Sequence, residues 1–148
     1  MKISTRGQYG IRAMLELALN EQDGPVALKT IAEKQRISEP YLEQLIATLR
    51  KAGLVSSVRG ALGGYQLTRD PAEIKIGDIL RVLEGPIAPV ECVIDDAEGN
   101  CLNSGHCATQ GLWKRLRDSM VEVLDSTTLA DLISDYNSLH SSNSMYYI

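Results

Sequence analysis

The chain has 148 residues, of which 44% are hydrophobic and 23% charged, a composition typical of one soluble globular domain. It has no apolar run of about 18 residues, which excludes a membrane-spanning helix. The opening MKISTRGQYG lacks the apolar core of a signal peptide, so we expect a cytoplasmic protein. The net charge of −4 is an average, because residues 1–70 hold 10 basic and 7 acidic side chains (+3) whereas residues 71–148 hold 5 and 12 (−7). A basic first half favours a polyanionic partner.

The first half predicts three helices. Apolar residues recur at helical spacing over residues 5 to about 20, and again over residues 27–34 and 39–52. Ser38 is a suitable N-cap for the third helix, Pro40 is tolerated in its first turn, and Gly53 ends it. The last two helices are joined by a link of only a few residues, which is the arrangement of a helix-turn-helix.

The exposed face of the third helix predicts contacts to base edges or phosphates. Its polar and aromatic residues are Pro40, Tyr41, Glu43, Gln44, Thr48 and Lys51. An ordinary helical hairpin with a solvated face has the same pattern, so this segment alone does not decide between the two interpretations.

The segment after the third helix predicts a β-hairpin. Residues 54–58 and 65–67 have strand character, and the Gly-rich stretch RGALGG lies between them. A hairpin in this place is the wing of a winged helix-turn-helix, and we expect Arg59 to enter a DNA minor groove, whose negative potential favours arginine. A nucleotide-binding loop is disfavoured because the Lys-Ser/Thr ending is missing and a strand follows instead of a helix.

The second half predicts a short helix over residues 76–83 and a longer one over residues 110–126. The longer helix has an apolar stripe that includes Trp113. Such a stripe outside the small winged domain needs a partner surface, so we expect it to pair with a second copy across a two-fold axis. Packing on its own domain is the alternative. The Ser-, Asn- and Tyr-rich end from about Ser138 is expected to be a mobile tail.

All three cysteines lie in one polar window, CVIDDAEGNCLNSGHC. Thiolates in such a loop suit zinc or an iron–sulfur cluster, and a redox-active disulfide pair and inert thiols are the alternatives. Cys107 comes just before the longer helix, whose N-terminal N–H groups favour a thiolate. No general base, nucleophile pair or substrate-cleft pattern accompanies the cysteines, so we expect a protein that is not an enzyme.

Three stretches resemble the winged helix-turn-helix transcription regulators of the Rrf2 family (IscR/CymR-like): MKISTRGQYGIRAMLELA, YLEQLIATLRKAGLVSSVRGALGGYQL and IGDILRVLEGP. The resemblance covers about residues 1–135 and implies a mainly α fold with a small β-hairpin wing and a dimerisation helix. It also implies a bacterial homodimer that binds a pseudo-palindromic double-stranded DNA operator. The expected regions are a winged DNA-binding domain (1–85), a Cys-containing loop (86–108), a dimerisation helix with a C-terminal helix (109–137) and the tail (138–148).

The DNA-contacting residues expected from the third helix and the wing are Ser38, Pro40, Tyr41, Glu43, Gln44, Arg59 and Gly60. Glu43 is informative because a carboxylate accepts a hydrogen bond from a cytosine amino group but repels phosphate. It would therefore reject wrong sites as well as select right ones.

Cluster-binding members of the family hold a 2Fe-2S cluster through three cysteines of this loop, to which Cys92, Cys101 and Cys107 correspond. The family's histidine is replaced here by Gln110, in CATQGLW. The fourth ligand therefore stays open among His106, Gln110, water, a partner residue near Gln8 and the acidic loop residues Asp95, Asp96 and Glu98. The resemblance implies a regulator that senses its own cluster and controls iron–sulfur assembly genes.

Other segments look closer to the CymR-like branch of the family, which represses cysteine metabolism: LEGPIAPVE, VLDSTTLADL and MYYI. That branch usually lacks the Cys loop and acts with the enzyme O-acetylserine thiol-lyase. The resemblance implies that Ile148, as a C-terminal residue, inserts into that enzyme's active site, since a carboxylate with an apolar side chain can be captured by backbone donors and a pocket. A sulfur-metabolism repressor is therefore the alternative function, and a tail without a partner is the alternative for Ile148.

Overall fold

The computed structural model describes residues 1–94 and 105–145. Within these residues the helices and strands follow in the order α1 (Thr5–Leu19), α2 (Leu28–Gln35), α3 (Glu39–Lys51), β1 (Val55–Val58), β2 (Gly64–Leu67), α4 (Ile76–Glu84), α5 (Gln110–Ser126) and α6 (Leu129–Met145). The predicted fold class, mainly α with a β-hairpin wing, is confirmed. No helix in the described part of the chain is long and apolar enough to cross a membrane.

The core is built around α1, which contacts α2, α3, α4, α6 and β2. The apolar positions that recur at helical spacing are the buried ones, such as Met14 and Leu17 on α1 and Leu45 and Leu49 on α3. Helix α4 approaches α1 closely because Gly10 faces Leu83, and a Cβ at Gly10 would overlap the Leu83 side chain. Burial of each such leucine contributes about 1.5–3 kcal/mol.

The wing is a two-stranded antiparallel hairpin whose register runs from Val55 opposite Leu67 to Val58 opposite Gly64. Val26, just before α2, adds a bridge to β2: the Val26 N–H donates to Tyr65 O, and the Val26 carbonyl accepts from the Tyr65 N–H, both at 2.8 Å. Gly64 permits this approach, because a Cβ there would overlap the carbonyl of Val26. The sequence pattern did not predict this third strand contact.

The turn between α2 and α3 contains Arg36 in the left-handed conformation, with φ 55°. Ser38 occupies the N-cap position of α3 as predicted, but its side chain makes no capping hydrogen bond. Pro40 lies in the first turn, where a missing N–H is tolerated.

The end of α5 and the start of α6 are attached to the winged domain. Ile76 N–H donates to Thr127 O at 2.9 Å, and Leu129 N–H donates to Ile74 O at 3.0 Å. Leu129 is fully buried in the core. The region predicted over 109–137 therefore shares a core with the region over 1–85. The tail boundary expected near Ser138 lies inside α6, which continues to Met145, and Ile148 lies outside the described residues.

Candidate nucleic-acid interface and cysteine segment

The α3 face carries the predicted recognition residues to the surface. Pro40, Glu43 and Gln44 are exposed, as is Ser38 at the start of the helix. Tyr41 is half-buried, because its ring packs edge-on against Tyr9 of α1 with the centroids 6.0 Å apart. This face therefore has polar groups available for base edges, while its aromatic member is anchored to α1.

A polar network on α1 holds the turn that precedes α3. Arg12 Nε donates to Gln35 Oε1 at 2.8 Å, and a second guanidinium nitrogen donates to the Gln35 carbonyl. Gln35 in turn donates to Glu16 Oε1 at 2.8 Å. Arg12 also lies over the ring of Tyr9, 5.0 Å from its centroid. Sequence reasoning missed this network, although a glutamate among the apolar positions of α1 was a signal for it.

The other end of α3 is held by Arg6. Its Nε donates to Leu83 O at 2.9 Å, and its Nη2 donates to Thr48 Oγ1 at 3.1 Å. The Thr48 hydroxyl itself donates to Gln44 O at 3.0 Å. Thr48 was predicted to face DNA, but it is half-buried and its hydroxyl is engaged within the protein. Arg6 thereby joins α3 to the end of α4.

The wing tip carries Arg59 and Gly60 at the surface, both exposed as expected. Gly63 N–H donates to Gly60 O at 3.0 Å and closes a tight turn around Ala61 and Leu62. The other exposed cations of the basic half are Lys2, Arg12, Lys29, Lys34, Arg36, Arg50, Lys51 and Arg69. The exposed residues of α3 include both signs of charge, with Glu39 and Glu43 beside Arg50 and Lys51, whereas the wing tip presents the cation Arg59.

Two of the three cysteines lie in the described segments. Cys92 is half-buried in a 3-10 turn, Glu91–Val93, which is held to α5 by a hydrogen bond of 3.0 Å from Arg117 Nη1 to Val93 O. Cys107 is also half-buried and precedes α5 by three residues, with its Sγ 3.0 Å from Thr109 Oγ1. Hydrogen bonds from the Thr109 side chain and then from the Thr109 and Gln110 backbone lower the pKa of the Cys107 thiol.

The other expected ligands are only partly visible. Cys101, Asp95, Asp96 and Glu98 lie outside the described residues, His106 is exposed, and Gln110 is half-buried at the start of α5. Gln8 is exposed on α1, where its amide donates to Ile3 O at 2.8 Å. Across 1–94 and 105–145, no three His, Cys, Asp or Glu side chains are close enough to hold a metal ion. The predicted cluster stays a prediction, because Cys101, one of its three expected cysteine ligands, lies outside the described residues.

Comparison with known proteins gives a consistent result. Residues 3–135 match the family described as Rrf2, iron-dependent transcriptional regulator. The chain is 53% identical to the HTH-type transcriptional regulator CymR of Bacillus subtilis over 148 residues, which is 100% of both chains. The solved structure of that CymR, the global cysteine regulator of B. subtilis, matches with a TM-score of 0.77 and 52% identity over 90% of this chain and 97% of that one. T. potens IscR matches with a TM-score of 0.75 and 51% identity over 92% of this chain and 88% of that one.

Proposed function

The chain belongs to the Rrf2 family of transcriptional regulators, and we propose that it is a homodimeric DNA-binding repressor of cysteine and sulfur metabolism genes. The identity of 53% along the whole length of a CymR supports this assignment within the family. The name of the matching CymR structure, a global cysteine regulator, supports the same gene class.

One observation supports DNA binding: the exposed face of α3 is followed by a hairpin wing that presents Arg59 at its tip. The Gln44 amide can pair with adenine and the Glu43 carboxylate can accept from cytosine in the major groove. Arg59 would occupy the adjacent minor groove, where the potential is most negative. In the first turn of α3 the backbone N–H groups of Glu39 and Tyr41 suit a phosphate, whereas Pro40 has no N–H and that of Leu42 donates to Ser38 O at 2.9 Å.

The dimer is supported by the surface of α5. None of its residues is buried within the protomer, and Leu112 and Val123 are 47% and 62% exposed. An amphipathic helix with an uncovered apolar side gains stability when a second copy covers it. Two winged domains joined in this way would face half-sites about 34–36 Å apart, one turn of DNA.

Helix α4 is the physical link between α5 and the recognition helix. Arg81 of α4 forms a bidentate pair with Asp125 of α5 at 2.8 Å, and Arg6 joins Leu83 of α4 to Thr48 of α3. A signal that shifts α5 would therefore reach α3 through two sets of charge-assisted hydrogen bonds. In this proposal the signal is the cysteine status of the cell, reported by a partner enzyme. That the enzyme is O-acetylserine thiol-lyase and that Ile148 inserts into its active site stay predictions.

A second candidate is iron–sulfur sensing, and it is favoured by the two half-buried thiols, Cys92 and Cys107, on either side of the segment that contains Cys101. The similarity to T. potens IscR points the same way. These three cysteines would hold a 2Fe-2S cluster, with the fourth ligand open between His106, Gln110 and an acidic residue. When bound, the cluster would supply a charge that changes with redox state.

One experiment separates the two candidates. The protein is purified without oxygen, its iron and visible spectrum are measured, and binding to promoters of cysteine-synthesis and iron–sulfur assembly genes is titrated with and without O-acetylserine thiol-lyase. The cysteine proposal predicts a colourless protein that binds the first promoter class and responds to the enzyme, with a variant lacking Ile148 as the unresponsive control. A brown protein whose promoter affinity changes in Cys92→Ala, with no effect of the enzyme, would contradict it and support the second candidate.

A further inference from the structure

The wing tip presents an apolar side chain beside its arginine. Residues 60–63 form a turn closed by the hydrogen bond from Gly63 N–H to Gly60 O, at 3.0 Å, so Ala61 and Leu62 occupy its two corners. Leu62 is 93% exposed, more than any other large hydrophobic residue in the described part of the chain. Arg59 enters the same turn from β1.

The backbone keeps Leu62 in this position. Gly60 has a φ of +112°, and a Cβ on Gly63 would overlap the Val58 carbonyl, so the turn depends on both glycines. The hairpin below it is tied to Val26 by two hydrogen bonds of 2.8 Å. Leu62 therefore cannot fold back onto the core without breaking the turn.

We infer that Leu62 is a DNA-contacting specificity residue, which packs against the deoxyribose walls of the minor groove next to Arg59. The inference rests on the proposed DNA binding. The minor groove is about 6 Å wide, and its walls are formed largely by sugar C–H groups, which suit one aliphatic side chain. Leucine is among the apolar residues that minor-groove proteins place in the groove, where some insert between base steps.

The neighbouring charges favour DNA over an apolar protein partner as the occupant. Arg59 adjoins the turn, and the first 70 residues have a net charge of +3 from 10 basic and 7 acidic side chains. An aliphatic side chain touches both walls only where the groove is narrow, as in A·T-rich DNA. Leu62 would therefore add a preference for narrow grooves to the electrostatic preference of Arg59.

The two side chains have different thermodynamic signatures. Arg59 neutralises phosphate charge and releases counterions, so Arg59→Ala lowers the slope of log affinity against log salt by about one. Leu62 contributes apolar burial only. Leu62→Ala is therefore expected to weaken operator binding about three- to tenfold with an unchanged salt slope.

The test titrates the full-length protein with its selected operator at several salt concentrations, using Leu62→Ala, Leu62→Gln and Arg59→Ala. Leu139→Ala is the matched control, because Leu139 is also largely exposed, at 65%, but lies on α6. The same titrations are repeated on an operator with G·C pairs placed under the wing. We expect both Leu62 variants to bind more weakly at equal salt slope and to discriminate less between the two operators, with Leu139→Ala unchanged.

Unchanged affinity of both Leu62 variants would overturn the inference, as would a loss of salt slope equal to that of Arg59→Ala. A Leu62→Ala variant that binds DNA normally but loses dimerisation would also overturn it. If the wild-type protein binds no operator, the proposed function itself fails. If the wild-type protein binds and only Arg59→Ala weakens binding, the inference about Leu62 fails while the proposed function stands. Thermal unfolding checks that the variants are folded. We expect the Leu62 variants to be folded because the Leu62 side chain makes little contact with the rest of the protein.

Discussion

Removal of the ion pair between α4 and α5 tests the link on which the proposed signal depends. Arg81 Nη1 and Nη2 donate to the two carboxylate oxygens of Asp125, each at 2.8 Å. Hydrogen bonds between charged groups contribute about 1.5–3 kcal/mol when protected from water. Because the side chains of Arg81 and Asp125 are 38% and 28% exposed, solvent screening reduces the expected coupling to about 1 kcal/mol.

The assay is a double-mutant cycle in urea unfolding, with Arg81→Met, Asp125→Ala and the double variant. Each single substitution also has an effect outside the pair. Asp125→Ala stabilises the protein by removing an acidic residue near the C-terminus of α5, and Arg81→Met removes the contact of Arg81 with Asp78 at 3.6 Å. The cycle cancels both effects and leaves the coupling free energy of Arg81 and Asp125. A coupling free energy below about 0.3 kcal/mol would refute the reasoning, since that is the level at which independent sites add.

Gly77 offers an independent check of the same geometry. A Cβ at this position would overlap Oδ1 of Asp125. Alanine is favoured over glycine by about 1 kcal/mol in a helix interior, and Gly77 is the second residue of α4, so Gly77→Ala should stabilise the Asp125→Ala variant by less than that amount. In the wild-type protein the new Cβ displaces the Asp125 carboxylate, and the weakened pair with Arg81 offsets this gain. Equal stability changes for Gly77→Ala in wild type and in Asp125→Ala would contradict the overlap.

The pair also predicts a pH dependence. The hydrogen bond from Arg81 holds the pKa of Asp125 below its ordinary value, so the carboxylate binds protons less readily in the folded protein. The contribution of Asp125 to stability is therefore present above the unfolded pKa, about 4, and is lost as the pH falls through the lowered folded value. The stability difference between wild type and Asp125→Ala should shrink over that acidic range and stay constant between about pH 5 and 8.

Three further predictions concern the interface and the core. Arg59→Ala should weaken operator binding, seen as a salt slope lower by about one in anisotropy titrations, and an unchanged affinity and slope would contradict its contact with DNA. Glu43→Ala should raise affinity for mismatched operators more than for the correct one, by about 1–3 kcal/mol in competition assays, and equal gains would leave it as a purely repulsive charge. Leu129→Ala should cost about 2–5 kcal/mol in urea unfolding because Leu129 is fully buried, and a cost below about 1 kcal/mol would show that α6 is not part of the core.

The helices and the wing were predictable because their signals are periodic or local. Leu42, Leu45, Ile46 and Leu49 recur at helical spacing, and all four are buried. The bounds of α5, Gln110–Ser126, follow from the same kind of pattern. Glycines between two short strand-like runs were sufficient to indicate a hairpin.

The features that were missed depend on contacts between residues far apart in the chain. A single residue such as Val26 has no periodicity, so its bridge to Tyr65 cannot be inferred from spacing. Thr48 was assigned to DNA because it lies on the outer face of α3, whereas Arg6 reaches it from 42 residues away. The length of α6 was missed because residues beyond 138 lack an apolar repeat, and its start is fixed by packing of Leu129.

The sequence was sufficient to predict which residues of the candidate DNA interface are exposed, but not how the thiols are arranged. The exposure of Pro40, Glu43, Gln44 and Arg59 agrees with their assignment to DNA, which stays a prediction. The thiol arrangement depends on residues outside the described segments. The hydrogen bonds at Cys107 come from the turn before α5, which sequence reasoning indicated through the helix N-terminus.

Selection of operator sequences from random DNA by the full-length protein, followed by hydroxyl-radical footprinting, tests the central claim most directly. We expect a two-fold symmetric site with half-sites about 10 base pairs apart, each protected over one major groove and the adjoining minor groove. Gln44→Ala should lose the selected sequence, and Arg59→Ala should lose the minor-groove protection. Binding with no sequence preference, or protection of a single half-site by a monomer, would contradict sequence-specific binding by a homodimer.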